Sequence, residues 1–153
     1  MTTPLTAADR VELSGLVQRY AGCVDARRFA ELIELFTADA ELVLPDPPRR
    51  LEPCVRHRGH AGIGEAMSAL AAVARTHHGI HGEIYATADD GQATGEITGV
   101  AHHWVDDDGR LTDHVWYLRY RDTYRRDQHG WRIASRALTI DAIESRPARQ
   151  VRT

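Results

Sequence analysis

Apolar residues in this chain recur at two different periods, and the change between them constrains the fold more than any other feature. Up to about residue 74 they keep helical spacing; beyond it they alternate along strand-like runs near 76–88, 92–106, 111–126 and 130–144. The runs are joined by Asp89-Asp90-Gly91, Asp106-Asp107-Asp108-Gly109 and Asp127-Gln128-His129-Gly130. Asp and Gly tolerate the positive φ of tight turns, so each connector predicts a hairpin and the runs predict an antiparallel meander.

Thr6 with Asp9 three positions on predicts a helix N-cap, and Val11, Leu13, Leu16, Val17 and Tyr20 carry the helix to about Ala21. Asp25 is expected to cap a second helix with Phe29, Leu32, Ile33, Leu35 and Phe36 on its apolar face. Ala40 to Leu44 predicts a short strand, and Pro45 to Gly59 a loop without periodicity. A third helix is expected over Ile63 to Ala74, with Met67, Leu70, Ala71 and Val73 facing inward. The fold class is therefore α+β: three N-terminal helices against a curved antiparallel sheet, leaving a cone with a ligand cavity at its open end.

A length of 153 residues suits one domain with one core, expected over residues 1–145 with a flexible tail from 146 to 153. With 42% hydrophobic and 27% charged residues the composition is that of a globular chain, and a net charge of −3 argues against nucleic acid as a partner. No apolar run approaches the length of a membrane span, so no membrane partner is expected. Cys23 and Cys54 lack metal-ligand spacing, and a reduced, cytoplasmic protein is the simplest expectation. Nine histidines form the compositional outlier. A carboxylate and an imidazole brought together in an apolar pocket make a general base, and Asp25 and His78 are the candidates.

Four segments resemble the SnoaL-like branch of the nuclear transport factor 2-like superfamily, which includes scytalone dehydratase, bile acid 7α-dehydratase and hexachlorocyclohexane dehydrochlorinase. They are Tyr20 to Leu32 with Leu35 to Ala40, Gly59 to Ile63, Arg75 to His78, and Tyr120 to Arg125 with Gly130 to Arg136. The resemblance implies the conical fold. It also implies that Asp25 is a dyad carboxylate, His78 the base, Tyr20 a substrate-positioning tyrosine, His103 a second pocket histidine and Arg136 a cavity arginine. Leu118 and Tyr120 stand where the scytalone enzyme has a serine and an asparagine, which implies a different substrate.

Strand parity is compatible with these roles. A turn centred on Asp90-Gly91 places His78 opposite His103, and His103 shares a face with Ala101, Gly99, Ile97 and Gly95. One residue more in that turn would exchange His103 for His102. Arg136 shares its expected face with Ala134, Leu138 and Ile140, so it needs a partner: Asp25, a ligand anion, or both. Each residue also has a plainer reading. Asp25 alone reads as a helix N-cap, Tyr20 as a core aromatic, and Trp116, Tyr120 and Leu118 serve as pocket walls or as ordinary core. His77 points to the other face. His78, His103 and Asp25 could form a two-histidine, one-carboxylate metal site, but adjacent histidines on a strand face opposite ways, so no metal is expected.

These readings predict an enzyme without a cofactor, a lyase of dehydratase type, acting on a small cyclic or polyketide-like molecule. His78 would take the proton, Asp25 would orient it, and Tyr20, His103 and Arg136 would polarise the carbonyl or assist the departing hydroxyl. An isomerase or cyclase, an epoxide hydrolase, and a non-catalytic binding module are the alternatives. Trp104, Tyr117, Trp131 and Ile133 are expected on the outer sheet face, and this patch predicts a homodimer or homotrimer.

Overall fold

The computed structural model of the protein describes residues 2–152. Helix α1 (Ala7–Asp25) begins at Thr6, whose side chain accepts from the Asp9 N–H while Asp9 caps the Thr6 N–H in return. Its inward face, Leu13, Leu16, Val17, Tyr20 and Val24, follows the expected spacing and is buried. Asp9 is buried as well, accepting from the Trp131 indole at 3.0 Å and pairing with Arg126. Helix α2 (Phe29–Ile33) is a single short turn and α3 (Gly59–Ser68) continues as a 3-10 turn over Ala69–Ala72. The third helix is thus shorter than expected, and Ala71 is exposed.

Six strands form one sheet: β1 (Phe36–Asp46), β2 (Arg50–Arg58), β3 (Arg75–Asp89), β4 (Gln92–Asp107), β5 (Arg110–Asp127) and β6 (Gly130–Pro147). Their order is β2-β1-β6-β5-β4-β3, so the curved sheet is open, with β2 and β3 at its edges. The four-strand meander lies where the turn residues predict. Both central residues of the β4–β5 turn have positive φ, 51° at Asp108 and 81° at Gly109, as a two-residue hairpin loop demands.

Three expectations are corrected. The stretch 45–59 is not a loop: Arg50–Arg58 forms β2, paired antiparallel with β1. An edge strand lacks a second neighbour, tolerates Pro53, and here has little buried surface to impose alternation. The sheet is not wholly antiparallel, because β1 runs parallel to β6. The chain beyond residue 145 is engaged: β6 runs to Pro147, the Ala148 N–H donates to Leu111 O, and Arg75 donates to Arg152 O.

Bulges alter facing. Between Tyr124↔Ile133 and Thr123↔Ser135 the register slips at Ala134, so Ile133 and Trp131, not Ala134, share the inward face with Arg136. Trp131 and Ile133 are buried core residues, which leaves Tyr117 and the half-buried Trp104 of the expected outer patch. Among the described residues no helix is long and apolar enough to cross a membrane.

Candidate active site

Between the helices and the inner sheet face lies a cavity of roughly 600 Å³, within the range of small-molecule sites. The inner face of the sheet presents its residues in cross-strand rows, from which His78, His103, His114, Trp116, Leu118, Ile143 and Ser145 line the cavity. One row is Thr76, His103, His114 and Ser145; the next is His78, Ala101, Trp116 and Ile143. Below it Ile80, Gly99, Leu118 and Ile140 form an apolar row. Gly99 is required here: a Cβ would meet Gly79 O at 2.5 Å, so any side chain would force β3 and β4 apart. Leu70, Val73 and Met67 close the cavity from the α3 side.

His78 stands on this wall with its ring directed back to α1. Its Nδ1 lies 2.7 Å from Asp25 Oδ1, and its backbone N–H donates to Asp25 Oδ2 at 2.8 Å. A carboxylate only accepts, so Nδ1 carries a proton, and in the neutral ring the lone pair is on Nε2. Burial alone would raise the Asp25 pKa, but the donors from His78 and from Thr76 outweigh it and hold the carboxyl below the usual range. Asp25 is the last residue of α1 and does not cap α2, whose N-cap is Arg28 without a side-chain bond. Both its oxygens are thereby available to β3.

His103, not His102, faces the cavity. Its Nδ1 donates to the His114 carbonyl at 3.1 Å, and its ring centroid is 6.1 Å from that of His78 and 4.2 Å from Trp116. Burial pushes its pKa down to about 4 despite that hydrogen bond. His103 is therefore neutral at pH 7 with Nε2 as an acceptor. This corrects the expectation that it polarises a carbonyl: it lacks the proton to donate. His102 lies on the outer face, 2.8 Å from Asp113 and stacked on Trp104.

Arg136 is also relocated. It is fully buried but does not line the cavity. Its partner is Asp122, not Asp25. Its Nε and Nη2 donate to Asp122 at 2.9 and 2.6 Å, Tyr124 donates to the same carboxylate at 2.5 Å, and the rings of Tyr20 and Tyr120 lie 4.3 and 4.1 Å from the guanidinium. Arg136 is the charged base on which the cavity tyrosines rest. Tyr20 and Tyr120 line the cavity beside Trp116 and Leu118, and burial pushes both phenols up, so they stay protonated donors.

Sequence reasoning missed Asp122 as the partner of Arg136, and His114 with Ser145 as cavity residues. His114 Nδ1 and Ser145 Oγ are 2.7 Å apart at the mouth. The Asp108-Gly109 turn was the signal for His114, since a two-residue loop there pairs residue 103 with 114. Ser145 had none, because bulges displace it from the position that the Gly130 turn implies. Among the described residues no three His, Cys, Asp or Glu side chains converge as metal ligands. Asp25 meets His78 from behind, away from His103.

Helices on the inner face of a curved, open sheet, with an acid at the end of α1 meeting a histidine on β3, set the terms for comparison. A model of the SnoaL-like domain family matches residues 5–137. The chain belongs to that family. Among solved structures, Kfla4162 from Kribbella flavida is 26% identical, with a TM-score of 0.77 over 90% of this chain and 93% of its own. A Novosphingobium aromaticivorans protein, described provisionally as a scytalone dehydratase, is 18% identical, with a TM-score of 0.77 over 95% of this SnoaL-like chain and 94% of its own. ActVI-ORFA from Streptomyces coelicolor is 20% identical, with a TM-score of 0.68 over 86% and 96%. At such identities these last two likenesses show the fold. No match is found among curated protein sequences.

Proposed function

We propose that this SnoaL-like protein is a lyase of dehydratase type, acting on a small, neutral, largely apolar cyclic or polyketide-like molecule. The observation that carries the reading is His78: an imidazole on the wall of an apolar cavity, with Nδ1 held by Asp25 and Nε2 left as the base. In the proposed step Nε2 takes a proton from a carbon next to a carbonyl. The C–H electrons form the new double bond, the β C–O bond breaks, and the departing hydroxyl leaves as water after receiving the same proton back from the His78 imidazolium, which returns the ring to its neutral form. Tyr20 and Tyr120, which line the cavity, would donate to the carbonyl oxygen. His103 accepts, and so favours a substrate with a hydroxyl facing it. Isomerisation or cyclisation would use the same base without loss of water.

The test is loss of water from cyclic β-hydroxyketones, followed by mass spectrometry. His78→Ala and Asp25→Asn should fold normally and lose roughly 10²- to 10⁴-fold in kcat/KM. Undiminished elimination in both variants would remove the base from this account. Rearrangement without a mass change would favour the isomerase reading. Association into a homodimer or homotrimer belongs to the same proposal, resting on Trp104 and Tyr117; a monomer by light scattering at micromolar concentration would remove it.

A further inference from the structure

Asp25 sits where a carboxylate is poorly placed. It is the last residue of α1, next to the negative end of the helix dipole, and it is largely withdrawn from solvent. Both effects favour the neutral acid, which could not hold His78 in one tautomer. His78 itself supplies most of the compensation, through its ring and its backbone N–H, and the remainder comes from Thr76, which does not line the cavity. Thr76, nearly inaccessible on β3, donates its hydroxyl to Asp25 Oδ1 at 3.0 Å. The same hydroxyl oxygen accepts from Nη1 of Arg27 at 3.0 Å. Arg27 has the left-handed φ of 58°, unfavourable for a residue with a Cβ, and its guanidinium also donates to Val24 O and Val73 O, each at 3.1 Å.

The direction of this relay follows from proton counting. Threonine has one hydroxyl proton, and a guanidinium can only donate. With Arg27 donating to Oγ1, the Thr76 proton is left for Asp25. Other groups surround the pair without supplying this contact. Arg75, His77 and Arg152 border the opening on the far side of Asp25, and Arg75 spends its Nε on Arg152 O. From the cavity side come Tyr20, His103 and Tyr120, none of them cationic at neutral pH.

We propose that Arg27 and Thr76 are positioning residues: through a one-way hydrogen-bond relay they keep the Asp25 carboxylate ionised and aligned on Nδ1 of His78, so that the imidazole presents its lone pair to the cavity. The proposal rests on the reading of His78 as the base. A merely structural staple would tie α1 to β3 with the same atoms, so the test must read ionisation and tautomer as well as folding.

The experiment is a carbon-13 NMR titration of the Asp25 carboxyl in the full chain, with nitrogen-15 shifts of the His78 ring read in parallel. Thr76→Val keeps the shape and deletes the hydroxyl; it should move the Asp25 midpoint up by roughly one pH unit and turn the single His78 tautomer into a mixture. Thr76→Ser should restore both readouts. Arg27→Gln should raise the midpoint by about half a unit. An unchanged Asp25 midpoint in folded Thr76→Val overturns the relay. If that variant does not fold, Arg27→Gln, altered at a half-exposed position, decides in its place, and an unchanged midpoint there overturns the relay equally. Asp25→Asn separates the two levels: a His78 tautomer unaffected by that change sinks the paired-base reading itself, whereas a tautomer lost there but untouched in Thr76→Val sinks the relay alone.

Discussion

His103 should make the protein lose stability in mild acid. It is 7% exposed, packed on Trp116, and its Nδ1–H is spent on the His114 carbonyl. Burial lowers its pKa from the ordinary 6.5 to about 4, while the unfolded chain keeps the ordinary value. Above pH 6.5 the ring is neutral in both states and contributes nothing to the pH dependence. As pH falls through 6.5 the unfolded chain takes up a proton that the folded chain refuses, so stability drops until about pH 4 and then levels. A gap of about two and a half pH units, at roughly 1.4 kcal/mol each, comes to about 3.5 kcal/mol in full, of which about 3 kcal/mol is lost by pH 4. The assay is urea unfolding from pH 7 to 4 for the parent and for His103→Gln, whose amide can still donate to the His114 carbonyl. Asp25 and the other carboxylates titrate in both proteins, so the difference between the two curves isolates residue 103. The variant should fall less steeply by about 3 kcal/mol over that window; parallel curves would refute the burial argument.

The Arg136–Asp122 pair is fully buried on both sides, so Asp122→Asn should cost about 3–5 kcal/mol in urea unfolding by leaving the guanidinium uncompensated. The double change Asp122→Leu with Arg136→Met should recover part of that loss, since it removes both charges together. Gly99→Ala should destabilise strongly through the 2.5 Å approach to Gly79 O, whereas Gly15→Ala, with nothing within 4 Å on α1, should raise stability by about 0.5–1 kcal/mol; thermal denaturation of the two reads both signs.

The fold was legible where local chemistry decides it. Thr6 and Asp9 are sequence neighbours, so their capping box could be read directly, and each Asp-Gly connector fixes a hairpin within a few residues. The β1–β2 edge hairpin was not, because nothing buries one whole face of β2 and the alternation that reports a strand is weak there. The parallel pairing of β1 with β6 was equally hidden: it joins segments about a hundred residues apart, and neither carries a local mark of its partner.

The site was legible for a different reason, and only in part. Turn counting pairs His78 with His103, yet the structure pairs His78 with Ala101, because single-residue bulges near Ala88 and His81 slip β3 twice. Two slips restore parity, so His78 and His103 still share the cavity wall. A single slip would have sent His78 to the outer face. On β6 the bulge at Ala134 acts alone between Ile133 and Ser135, and there parity failed: the face assigned to Arg136 was wrong on its N-terminal side. The error in the role of Arg136 has another source. Sequence reasoning sought its countercharge in Asp25 or a ligand, but on β5 the inward series Leu118, Tyr120, Asp122 and Tyr124 already contained a carboxylate beside it. A buried arginine is satisfied by the nearest acid that can reach it, and register across the sheet, not distance along the chain, decides which acid that is.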